Sequence, residues 1–157
     1  MRALRSLLIA LSLPIGCSDV APLVGSQRAS PPVVEGGVPG DGGASVSFAR
    51  DIRPIFDRFP SDPAGPGCRA CHYRSQATHV GLDLGGLDLS TLGALREGGG
   101  TSGAHIVVPG RPEESALIQK LRGTYPFGTR MPKSGPPFLA GPEIELIATW
   151  IAQGAKG

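Results

Sequence analysis

Apolar residues recur at helical spacing in only a few short stretches of this chain. Ile52, Ile55, Phe56 and Phe59 keep an i, i+3, i+4, i+7 pattern, which predicts a short amphipathic helix over roughly 49–59. Pro54 lies inside it and is tolerated only near the first turn, so the pattern leaves the start open. Ser90 can cap a short helix over 91–97 that Gly98 ends. Pro112 suits another helix start, with Leu117, Ile118 and Leu121 as its stripe and Gly123 as its stop. The strongest pattern is the last: Pro142 opens it, Ile144, Ile147, Ala148 and Ile151 repeat, and Gly154 closes it. No segment alternates convincingly as a strand, Ile106-Val107-Val108 coming nearest. The fold class expected is mostly α, with short helices and long irregular connections.

One apolar stretch does not belong to that fold. Arg2 and Arg5 precede Ser6–Ile15, which is interrupted only by Ser12 and Pro14 and leads to Gly16-Cys17. The order reads as an export signal over residues 1–16. It falls short of the roughly 20 apolar residues a membrane-spanning helix needs. Its end resembles the lipobox of bacterial lipoproteins, in which small residues precede a Cys that receives a lipid thioether. Gly16 and Cys17 match; Pro14 stands where Leu is usual. The resemblance makes Cys17 a lipidation site, the other reading being ordinary cleavage that leaves Cys17 a free thiol.

Composition divides the remainder of the chain. There are 24 Gly and 16 Pro among 157 residues, a share that borders on low complexity. Residues 18–45 hold ten of them and no aromatic residue, so 17–45 reads as a lipidated Cys and a flexible tether. All eight aromatic residues lie in 46–157, the expected domain. A domain so short and so broken by turns needs a staple: disulfides, a metal or a cofactor. Without the signal the chain carries 13 basic and 13 acidic side chains, and no basic patch that would suit nucleic acid.

Cys68-Arg69-Ala70-Cys71-His72 meets that need. Two thiols three residues apart, with His next, suit covalent haem attachment. Each thiol can add to one vinyl group, and His72 can supply its imidazole to the iron. A zinc site would need further ligands at matching spacing, although His79 and His105 are available. A thioredoxin-like pair would need a βαβ context, and a Cys68–Cys71 disulfide would close a very small loop. Met131 is the only Met besides Met1 and lies in a Gly/Pro-rich loop before the last helix. It is the candidate sixth ligand, with His79 and His105 as rivals and core filling as the alternative role.

These residues, in this order, resemble the class I-type monohaem cytochromes c, and most closely the planctomycete-type cytochrome c domains of exported bacterial proteins. The matching stretches are Phe48 to Phe56, Cys68 to His72, Gly85-Gly86-Leu87-Asp88-Leu89-Ser90, Val108 to Leu117, Met131-Pro132, and Ile144 to Ala155. Arg111 stands where the family often has an acid, and Lys133 where a second Pro is common. The resemblance implies a cytochrome c fold around one covalent haem c, with the first and last helices packed together. It implies thioethers at Cys68 and Cys71, His72 as proximal and Met131 as distal iron ligand.

The function expected is electron transfer, not enzyme catalysis, by a lipid-anchored protein on the periplasmic side of a bacterial envelope. Its partners would be other redox proteins of that envelope. Ser18 after Cys17, in place of Asp, points to the outer membrane by analogy with sorting rules in some bacteria. The alternative is a haem-based small-ligand sensor or peroxidase-like protein with an open or labile sixth position.

Overall fold

The computed structural model describes residues 44–157. The signal segment, Cys17 and all but the last two residues of the tether lie outside them. Helices make up 45% of the described residues, and no strand occurs among them, so the fold is mostly α.

The chain enters a wide helical turn at Phe48–Ile52 that runs directly into α1, Arg53–Phe56. Pro54 explains the change of pitch. It has no N–H to donate, and its ring crowds the preceding turn. The wider turn before it accommodates both, and Pro54 falls in the first turn of α1. The helix ends at Phe56, earlier than its apolar pattern predicts. Phe59, the last member of that pattern, is 44% exposed and lies under the Arg69 guanidinium, 5.6 Å from the ring centre. It covers an arginine rather than entering the core.

Three four- to six-residue helices come next: α2, Arg69–His72; α3, Val80–Gly85; and α4, Leu92–Glu97. The cap of α4 is Thr91, whose hydroxyl accepts from Ala94 N–H at 3.1 Å, and not Ser90. Ser90 instead gives its own N–H to Asp88 Oδ1 at 2.9 Å. After a 3₁₀ turn at Gly103–Ile106, the helix expected from Pro112 is split. A 3₁₀ turn covers Pro112–Glu114 and α5 covers Ala116–Arg122. Ser115 makes the break. It is fully buried, and its hydroxyl donates to Arg111 O and accepts from Val108 N–H, both at 2.9 Å. Gly123 then ends α5 in the left-handed region, at φ +80°.

The last helix, α6, spans Gly141–Ala152 with Pro142 in its first turn. Glu143 accepts from Ala140 N–H at 3.1 Å and pairs with Arg58, which ties the start of α6 to the loop after α1. Its buried face, Ile144, Ile147, Ala148, Trp150 and Ile151, packs on Phe48–Ile52 and on α5. The first and last helices therefore pack together, as the resemblance implies. Trp150 is the centre of that contact. Its ring lies 5.7 Å from Phe48, and its Nε1 donates to Lys156 O at 2.7 Å. Phe48 N–H donates to the same carbonyl at 3.2 Å, so both ends of the domain meet at one oxygen.

Trp150→Ala removes both the packing and the hydrogen bond. It should destabilise the protein by about 3–5 kcal/mol. Phe59→Ala should cost only about 1 kcal/mol, because only a part-exposed cation–π contact is lost. Guanidinium unfolding of the two variants measures the difference.

Candidate haem site

The residues that define the candidate site begin with a helix of a single turn. Four residues cannot hold a helix unaided, because nucleation costs more than one turn returns. α2 is held from outside instead. Cys68 N–H donates to Phe56 O at 3.1 Å and Arg69 N–H to Arg58 O at 3.3 Å, so the end of α1 fixes its start. At its other end His72 O accepts from Leu89 N–H at 3.0 Å. The thiols of Cys68 and Cys71 are free and both half-buried. Burial pushes the Cys68 thiol up to about 12, with the Arg58 charge opposing it. The thiol is therefore neutral at ordinary pH.

His72 is fixed through the same segment. Its Nδ1 lies 3.0 Å from Leu87 O. A carbonyl can only accept, so Nδ1 carries the proton and Nε2 is left as a bare lone pair. Burial lowers the proton affinity of the ring, against the Leu87 hydrogen bond and the Asp88 charge, which raise it. A Cβ on Gly81 would fall 2.7 Å from both Nε2 and Cε1. Only glycine at that position leaves the ligating edge of the ring uncovered.

The Leu87 carbonyl is itself held. Asp88, next in the chain, is buried and accepts from Ser90 N–H and from Arg74 Nε, both at 2.9 Å. Burial opposes its charge, but these hydrogen bonds outweigh it and keep the carboxyl below its ordinary range.

Cys68, Cys71 and His72 face a cavity of about 400 Å³, within the range of small-molecule sites. Met131 lines the same cavity, half-buried and packed against the core. Leu87, Leu89, Ile106, Leu117 and Leu121 supply apolar wall. The donor set is two thiols, an imidazole with its Nε2 free and a thioether, around an apolar space. Those residues fit a haem in chemical type: the thiols are groups that could add to its vinyls, and His72 and Met131 are groups that could ligate its iron.

All four candidate residues are thus brought to one place. The rival histidines are not. His79 precedes α3 and pairs with Asp83 at 2.9 Å, His105 is exposed, and neither lines the cavity. Among the described residues no group of three or more His, Cys, Asp or Glu is placed to hold a metal ion. Sequence reasoning missed Gly81 and the Leu87 carbonyl. The first is one glycine among 24, and the second is a backbone atom that any residue would supply. The Gly85–Ser90 stretch pointed to the region but not to its role.

Residues 68–135 match the family model described as Planctomycete cytochrome C. The match runs from the first thiol past Met131. The chain therefore contains a planctomycete-type cytochrome c domain, with the mostly-α fold of that class. A domain of this family suggests a haem-binding electron-transfer protein. No curated protein and no solved structure matches the sequence.

The His72 environment sets a pH dependence. Its proton affinity is lowered in the folded chain, so the stability carried by the neutral ring is complete above the ordinary value of 6.5. That stability declines as pH falls below 6.5, through the lower folded value. For the chain without haem, acid unfolding followed by circular dichroism and compared with His72→Ala should show no loss traceable to His72 until pH is below 6.5. A loss that begins above that value would contradict the assignment.

Proposed function

We propose that this protein is a membrane-anchored electron carrier of the periplasmic side, holding one covalent haem c between His72 and Met131. The observation that carries the reading is convergence. Met131 is remote from Cys68-X-X-Cys71-His72 in sequence, yet lines the same apolar cavity. Cys68 and Cys71 would hold the haem edge as thioethers, both lying on the same cavity as His72. His72 presents Nε2 because Leu87 occupies its other nitrogen. When bound, the haem supplies an iron that exchanges single electrons. A thioether favours the reduced iron, which places the potential above that of a bis-His site. With His72 and Met131 both ligating, a bound haem would keep no free iron position for a substrate.

The cavity rim suits transient contact with other redox proteins. Val80, Leu84 and Phe127 line it while remaining exposed, and Lys120 and Lys133 lie beside them. Short-lived electron-transfer encounters use small interfaces of this kind. A lipid on Cys17 and a tether would hold the domain close to membrane partners and raise their effective concentration.

Haem staining after denaturation should be positive for the native chain and negative for Cys68→Ala, Cys71→Ala. The oxidised protein should show a Met–iron charge-transfer band that Met131→Ala abolishes. A high-spin ferric spectrum of the unsubstituted protein would favour a ligand-binding haem instead. In the bacterial cell, Cys17→Ser should move the protein from the membrane fraction to the soluble periplasmic fraction. Unchanged membrane association would remove the anchor from this reading.

A further inference from the structure

The segment that carries Met131 is bonded to the end of α5. The last carbonyls of a helix have no partner within it. In α5 they are used in order. Gln119 O accepts from Thr124 N–H at 2.8 Å and Tyr125 N–H at 3.3 Å. Lys120 O accepts from Met131 N–H at 3.0 Å. Leu121 O accepts from Arg130 Nε at 2.7 Å. The last two bonds hold consecutive residues, Arg130 and Met131, against consecutive carbonyls.

Arg130 is more constrained than a residue of a surface loop needs to be. Its guanidinium lies 4.1 Å from the centre of the Phe138 ring. Its side-chain carbons cross Gly123, where a Cβ would stand 3.2 Å from Arg130 Cδ and 3.3 Å from Cγ. Gly123 therefore serves twice: it ends α5 at positive φ, and it leaves room for Arg130. Among the described residues Arg130 forms no ion pair. Its charge meets the negative end of α5 and the face of Phe138. The side chain is thus committed to an internal bracket, and it does not line the cavity.

We propose that Arg130 is a positioning residue for Met131. This rests on the reading of Met131 as distal iron ligand. The Met131 amide and the Arg130 side chain hold the backbone on both sides of the Arg130–Met131 peptide. The thioether is then aimed at the cavity by its backbone. Loss of Arg130 leaves one of the two bonds, and the loop opens more often.

The test uses ferric holoprotein titrated with imidazole, which competes with Met131 and is followed by loss of the Met–iron charge-transfer band. Losing a hydrogen bond from a charged group should tighten imidazole binding roughly tenfold in Arg130→Ala. Arg130→Lys should fall between, since an ammonium can reach Leu121 O but cannot stack flat on Phe138. Trp150→Phe weakens the core without touching the cavity, so it reports what general destabilisation does to the same titration. Both Arg130 variants within about twofold of the native protein would overturn the proposal. So would Trp150→Phe shifting imidazole binding as far as Arg130→Ala. A native protein without the Met–iron band is a different result: it removes Met131 as ligand, and the positioning role with it.

Discussion

A helix of four residues cannot keep its own shape, and the site depends on one. α2 carries Cys71 and His72, and Cys68 is the N-cap at its start, so both thiols and the imidazole lie within about a single turn. Its geometry is borrowed from both sides. Phe56 and Arg58 carbonyls take its first amides, and the 87–89 segment takes its last carbonyl and the His72 ring. The burial of Asp88 and the space over Gly81 make sense as supports of that turn. So does the packing of α6, which braces Phe48–Ile52 and, through Arg58, the loop that leads into Cys68. A short reactive motif needs a larger scaffold because it brings little stability of its own.

The second half of the site is built by a different device. Met131 sits on an irregular segment, where backbone groups lack the regular partners of a helix or sheet. α5 has the opposite problem, carbonyls at its end with nothing to accept. Each supplies what the other lacks, and the Met131 loop becomes an extension of α5. The high Gly and Pro share of the domain takes on a structural meaning. Gly81 leaves an edge of a ring open and Gly123 lets a side chain cross, while Pro54 and Pro142 sit in first turns where a missing N–H costs little. They are placements within an ordered chain rather than marks of low complexity.

Cys68, Cys71, His72 and Met131, which line one cavity, stand out in the sequence as candidates because each has a side chain whose chemistry is rare and whose spacing or scarcity is visible. The last helix was legible because its apolar period is long and uninterrupted. Legibility failed where a neighbour outweighed the local pattern. Phe59 continues the helical stripe, yet the helix stops at Phe56 and the ring turns to Arg69. Ser90 is a good cap by type, but Asp88 takes its N–H and Thr91 caps the helix instead. Ser115 breaks an otherwise regular helix because two backbone groups from Val108 and Arg111 need its hydroxyl.

The sequence by itself determined which donors are available: two thiols and an imidazole within five residues, a thioether far along the chain, and short helices joined by long loops. Only the tertiary structure decided how those groups are aimed. The Leu87 carbonyl that orients His72 and the α5 carbonyls that hold Arg130 and Met131 are backbone atoms, identical in every residue type. No side-chain code marks them. Their role exists only once the fold has brought a donor within reach, which is why the motif was readable in one dimension and its support was not.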